Sequence, residues 1–143
     1  MVIDFDYFLN RGDVKRQSPD NNLSKSTLIE SQDRIDFAKS LLKKAKPKYV
    51  LENAYDAMRQ AADSLLYLDG FKSFSHEASI CYLLKKGFSE QDIREADRFR
   101  KIRNGIKYYG RDCDEIDATQ AIKLAEKVLG RINEAIKNKT MST

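Results

Sequence analysis

From Ser26 onward the apolar residues recur every three to four positions, which is the spacing of one face of an α-helix. Leu28, Ile35, Ala38, Leu42 and Ala45 make the first stripe. Pro47 closes it, because the residue before a proline avoids the α region. The same proline suits the first turn of the next helix, where its missing N–H costs nothing. That second stripe runs through Val50, Ala54, Ala57, Ala61, Leu65 and Leu68 and stops at Gly70. A shorter helix follows Ser75, with Ile80, Leu83 and Leu84 inward, and stops at Gly87. Ser89, with Asp92 three residues later, resembles a capping box with a short acid. It opens a fourth helix carrying Ile93, Ala96, Phe99, Ile102 and Ile106 and ending near Gly110. Asp114 caps a fifth, whose seam is Ala118, Ala121, Ile122, Ala125, Leu129, Ile132 and Ile136.

Connections this short favour antiparallel neighbours. The pattern therefore predicts an all-α protein, an up-and-down bundle of four or five helices over residues 25–137. The alanines on the apolar faces allow close helix approach. Ahead of the bundle, residues 1–24 read as an N-terminal arm. Within it, residues 3–9 (IDFDYFL) form a short helix or an extended piece docking on the body. Residues 11–24 are polar, contain Pro19, Asn21 and Asn22, and read as loop. Residues 138–143 read as a flexible tail.

Composition agrees and removes several function classes. Two Pro and six Gly in 143 residues are too few turn-formers for an all-β sandwich. One His and two distant cysteines, Cys81 and Cys113, cannot complete a four-ligand zinc site of the Cys/His kind, nor staple a secreted scaffold. No metal or cofactor is expected. The first residues carry acids where a signal peptide needs a basic region, and no long apolar run appears. The expectation is a cytoplasmic protein with no membrane partner.

The net charge of +4 is modest, but it is concentrated. Residues 98–111 hold six basic side chains and no acid, leaving 20 basic and 22 acidic residues elsewhere. On a helical wheel, Phe99, Ile102, Ile106 and Tyr109 cluster toward the core. Asp97, Asn104 and Tyr108 share the opposite side, flanked by Arg100 and Lys101, with Arg103 at the border. Arginine forks suit phosphate, amides suit bases, and phenols suit stacking. The plain alternative is that Asp97 pairs with Arg100 or Lys101 and the rest is solvated.

The pattern D-x-x-R-x-x-R-N-x-x-x-Y-Y-G is made here by Asp97, Arg100, Arg103, Asn104, Tyr108, Tyr109 and Gly110. It resembles the C-terminal signature helix of HEPN domains. AYDAMRQAADSLLYLDG in the second helix and GFKSFSHEASICYLL opening the third agree with prokaryotic stand-alone members, so the resemblance covers roughly residues 25–137. It implies a helical bundle like the substrate-binding subunits of nucleotidyltransferases. It also implies a homodimer with two signature helices facing one cleft, and RNA or a nucleotide as ligand. Many relatives are encoded beside a minimal nucleotidyltransferase as toxin–antitoxin pairs, and in some a Tyr near the motif is modified by that partner. The binding residues implied are Asp97, Arg100, Lys101, Arg103, Asn104, Lys107, Tyr108 and Tyr109.

Many HEPN domains are metal-independent ribonucleases with an R-x4-6-H motif. Here, with four residues between it and Arg103, the position is Tyr108. A phenol, with an ordinary pKa of about 10, is no general base near neutrality. Arg103 and Tyr108 remain the nominal catalytic pair, in a site that reads as degenerate. They lie about 140° apart around a straight helix. Their convergence would need a break at Gly105 or a second subunit.

His76, the only histidine, either packs at the start of the third helix or reaches the cleft in place of the missing imidazole. Cys81 reads as a buried hydrophobe and Cys113, among acids, as unreactive. Tyr55, Tyr67 and Tyr82 fall at core-edge positions. The acids Asp112, Asp114, Glu115 and Asp117 suit a helix N-terminus better than a metal. Three functions follow: a module binding RNA or a nucleotide in a basic cleft, an active endoribonuclease toxin, or an antitoxin-like structural subunit.

Overall fold

A computed structural model describes residues 4–141, with the side chains of residues 140 and 141 left aside. Among them the chain forms α1 (Phe5–Arg11), β1 (Val14–Arg16), α2 (Asn21–Leu41), α3 (Pro47–Asp69), β2 (Phe71–Ser73), α4 (His76–Lys85), α5 (Glu90–Tyr109) and α6 (Glu115–Met141). The all-α bundle expected from the sequence is the architecture found.

The bundle is organised around α3. Its buried residues, including Val50, Leu51, Ala54, Tyr55, Ala57, Met58, Ala61, Ala62, Leu65 and Leu66, cover more than one stripe. Such a helix is flanked on several sides; α2 and α6 cover it, and α4 and α5 pack beside them. The α2–α3 contact is polar at two buried points. Ser24 Oγ donates to the Ser64 carbonyl at 2.7 Å and Ser31 Oγ to the Ala57 carbonyl at 2.6 Å. Small residues there let the two backbones come within reach of a hydroxyl.

Several boundaries differ from the sequence reading. The segment taken as loop, residues 11–24, contains β1 and the first turn of α2. Asp20 accepts from the Leu23 N–H at 2.9 Å and so caps α2 ahead of Ser26. Periodicity misses this turn because its inward residue is the buried Ser24. β1 pairs antiparallel with β2, Val14 opposite Ser73 and Lys15 opposite Lys72. A pairing across so many residues leaves no local signal. The arm's short helix is α1; Phe5 and Phe8 are buried, and Phe5 meets Phe71 edge-on at 5.4 Å. Its first residue as read, Ile3, lies outside the described residues. The tail assigned to residues 138–143 is helical through Met141, and residues 142–143 lie outside the described part.

Gly70 joins the arm to the bundle. It ends α3 in the left-handed conformation at φ 88°. A Cβ there would stand 2.8 Å from the Gln17 carbonyl oxygen. Gln17 N–H donates to the Gly70 carbonyl at 2.9 Å, and Asp20 N–H to the Tyr67 carbonyl at 2.9 Å. Only glycine suits both the backbone angle and this approach.

The caps foreseen at Ser89 and Asp114 are present, accepting from Asp92 and Asp117 at 3.1 and 2.8 Å, and Ser75, which precedes the third helix of the sequence reading, caps α4 by accepting from Ala78 at 3.2 Å. Among the described residues no helix is long and apolar enough to cross a membrane.

Candidate functional site

An open cleft of about 350 Å³ lies where four helices meet. α2 supplies Arg34; α3 supplies Asp56, Arg59, Gln60 and Asp63; α4 supplies His76; α5 supplies Arg103, Lys107 and Tyr108. The α3 residues recur at i, i+3, i+4 and i+7, so one face of that helix forms a polar wall within an otherwise buried element. His76 enters because Ser75 caps α4 and leaves the next side chain in its first turn.

Arg103 anchors the site. Its side chain is only 7% exposed, and its guanidinium lies 3.3 Å from Asp56. Its carbon centre is 5.9 Å from the Tyr55 ring centroid. Nε of Arg103 is buried and makes no hydrogen bond; Nε of Arg59 also lacks one but lies 3.5 Å from the Asp63 carboxylate. Unsatisfied N–H groups of buried cations are costly. A buried arginine with a spare donor, next to a second arginine, is what an oxyanion satisfies. The cleft lining has four cations, Arg34, Arg59, Arg103 and Lys107, against two acids, Asp56 and Asp63.

His76 is held from both sides. Arg59 Nη1 stands 2.6 Å from Nε2, and the Tyr55 hydroxyl 3.2 Å from Nδ1. A guanidinium only donates. Nε2 must therefore accept, which places the proton on Nδ1, donating to Tyr55. The two rings stack within 6° at 5.9 Å. Burial first, then the charges of Arg59, Arg103, Arg100 and Lys107, lower the imidazole pKa to about 4. His76 is thus neutral at pH 7. Burial also pushes the Tyr55 phenol well above its ordinary value. The Asp63 carboxyl is raised by burial, against the pull of Arg59, a hydrogen bond from Ser79 at 2.7 Å, and Lys72.

The site read from sequence is partly assembled and partly dispersed. Arg103, Lys107 and Tyr108 share the cleft. They do so without a break at Gly105, since α5 is helical through Tyr109. Lys107, one turn beyond Arg103, bridges the angular gap to Tyr108, which is 64% exposed. Asp97, Arg100, Lys101, Asn104 and Tyr109 are not in its lining. Asp97 pairs with Arg100 at 2.8 Å and Lys101 at 3.3 Å, which is the plain alternative. Tyr109, placed toward the core by the wheel, is instead 75% exposed at the helix end, under the Arg111 guanidinium. The Arg111 side chain lies 3.1 Å from where a Cβ on Gly105 would be, so it packs back on α5. Arg98 is held by Glu95 and Asp117. Most of the basic run on α5 is therefore neutralised locally. The cleft's charge comes equally from Arg34 and Arg59, which sequence reasoning missed. The only available signal was the i, i+3, i+4, i+7 polar spacing inside the second apolar stripe.

His76 reaches the cleft and does not itself cap α4. Cys81 and Cys113 are both raised to about 11, chiefly by burial. Asp114 caps α6 and Asp117 pairs with Arg98, which accounts for two of the four clustered acids. Among the described residues no three His, Cys, Asp or Glu side chains gather as a metal-binding group.

The family model of the HEPN domain matches residues 25–135, more than half of the chain. No curated protein matches the chain.

Proposed function

Since the chain belongs to the HEPN family, whose work is broadly nucleotide- or RNA-related, we propose that it binds RNA or a nucleotide by phosphate in the Arg59–Arg103 cleft. One observation carries this reading: Arg103, almost fully buried, holds an Nε donor with no hydrogen bond, beside Arg59, whose Nε meets only Asp63 at 3.5 Å, in a cleft of net positive charge. A phosphate placed there accepts from both forks, while Lys107 adds charge and Tyr108 offers an exposed ring to a base.

Binding is favoured over cleavage. The position after Arg103 where a ribonuclease needs His is Tyr108. The lone imidazole nearby has its Nε2 occupied by Arg59 and a pKa of about 4, so it is a weak proton acceptor at neutral pH. The endoribonuclease reading keeps one specific support, that His76 and Arg103 line the same cleft. Incubating RNA with the protein in EDTA separates the two. Intact RNA fits the binding module, and cleavage abolished by Arg103→Ala would establish the enzyme instead.

In the cell this module acts as a homodimer within a toxin–antitoxin or nucleotidyltransferase-associated system. The exposed Tyr108 and Tyr109 are the phenols a nucleotidyltransferase partner would reach. The direct test is filter binding of single-stranded RNA over a salt series. Phosphate-driven affinity falls steeply as salt rises. Absence of binding to RNA and to mononucleotide at low salt would overturn the proposal.

A further inference from the structure

The β1–β2 ribbon carries a charge arrangement that its own fold does not explain. Val14 and Ser73 face each other and are buried. Alternation along a strand then sends the next pair, Lys15 and Lys72, to the outer face together. Like charges directly opposite each other weaken a sheet. No acid among the described residues forms an ion pair with either lysine. Their contacts are to rings: Lys15 Nζ lies 5.8 Å from the Phe74 centroid, and Lys72 Nζ lies 5.4 Å from the Tyr67 centroid and 3.2 Å from its hydroxyl.

Phe74 follows the ribbon and is 60% exposed. Its backbone is fixed, its N–H donating to the Asp13 carbonyl at 2.8 Å, so the ring is displayed from a set position. Two residues later His76 lines the cleft, a chain distance of at most ~7 Å. A second link joins ribbon and cleft. Asp63 of the cleft wall accepts from Ser79, whose hydroxyl is 2.9 Å from that of Ser73 on β2. Lys72 is near enough to act on the same Asp63 carboxyl.

Charge decides which way a bound strand would leave the cleft. On the side of Arg34 the adjoining groove is lined by Glu30 and Asp33, which repel phosphate. On the ribbon side Asp13 is paired with Arg11 at 3.4 Å, and Glu77 is near enough for its charge to act on Arg11 and Arg100. That leaves the exposed Lys15 and the half-buried Lys72 as the cations of the outer face, with Arg16 exposed at the next position against Phe71.

We propose that the outer face of the ribbon and Phe74 form a second subsite, which takes the neighbouring nucleotide of a single-stranded RNA. Its phosphate lies between Lys15 and Lys72, and its base stacks on Phe74. Cationic grooves with aromatic platforms are the general solution for single strands. This rests on the cleft reading above and adds a direction and a second nucleotide to it.

The test compares AMP with an adenosine tetranucleotide, by calorimetry at low salt, on the wild type, Phe74→Ala and Lys15→Glu. Phe74 and Lys15 are exposed, so both variants should fold, and circular dichroism checks this. The wild type should bind the tetranucleotide about ten-fold or more tighter than AMP. Phe74→Ala should lose about ten-fold for the tetranucleotide and nothing for AMP, and Lys15→Glu should behave alike. If AMP binds but the tetranucleotide gains nothing, or neither variant changes it, the second subsite is wrong and the cleft stands. If neither ligand binds the wild type, the cleft reading and the subsite fall together.

Discussion

Nη1 of Arg59 stands 2.6 Å from Nε2 of His76, so a guanidinium on α3 donates to an imidazole on α4. Those residues are far from the signature-like run on α5, yet they share its cleft. The pairing fixes the tautomer of the ring and keeps it neutral. Its consequences can be measured, because the chain has only one histidine.

The imidazole carbon-bound protons should titrate with a pKa of about 4 in the folded protein, against ~6.5 for a free side chain. Burial is the first cause, followed by Arg59, Arg103, Arg100 and Lys107. Arg59→Ala removes the nearest cation and the hydrogen bond to Nε2. Proton NMR should then show the midpoint moving up toward 6.5. A midpoint near 6.5 in the wild type would contradict the geometry.

The same shift predicts a pH dependence of stability. The folded imidazole is harder to protonate than the unfolded one, so between these two values the unfolded state binds more protons. The contribution is fully present above pH ~6.5 and is lost as pH falls toward about 4. Urea denaturation across this window should give a steeper loss for the wild type than for His76→Gln. Equal slopes would mean that His76 is not perturbed.

Binding should follow the cleft and not the charge run. Arg59→Ala and Arg103→Ala each remove a charged phosphate donor and should cost about 10- to 100-fold in affinity for single-stranded RNA, from ~1.5–3 kcal/mol for such a hydrogen bond. Asn104→Ala, outside the cleft lining, should change affinity by less than about two-fold. Anisotropy titrations at one salt concentration compare the three. A loss for Asn104→Ala matching that for Arg59→Ala would restore the α5 stripe as the site.

Gly70→Ala should destabilise the protein by about 1–3 kcal/mol, from left-handed backbone strain and the 2.8 Å approach to the Gln17 carbonyl. Thermal unfolding reads the loss. Limited proteolysis should show earlier cleavage between residues 11 and 20 as the ribbon loosens.

The helices were legible because their apolar spacing is local. Gly70, Ser75, Ser89, Gly110 and Asp114 mark real boundaries or caps, and Pro47 opens α3 but does not close α2, which ends earlier, at Leu41. The ribbon was not legible, since Val14 finds Ser73 across the whole of α2 and α3. Nor was the start of α2, where the buried positions are serines bonded to α3 carbonyls. The site was half legible. Arg103, Lys107 and Tyr108 come from one helix whose pattern is visible. Arg34, Arg59 and His76 join only through packing, and a wheel drawn for α5 cannot place partners from other helices. It also counts charges without their neighbours. Asp97 was legible as the partner of Arg100 or Lys101, being on the same helix, whereas Asp56 appears only in the structure as the group that meets Arg103.

The most direct test of the cleft uses His76 as its reporter, by NMR during addition of AMP at pH 7 and low salt. A phosphate that draws on Arg59 and Arg103 relieves the positive field on the ring and competes for the donor at Nε2. The account predicts a saturable shift of the imidazole signals and a pKa that climbs above about 4 in the complex, both lost in Arg103→Ala. Imidazole signals that stay fixed through saturating AMP, or that move identically in Arg103→Ala, would contradict it.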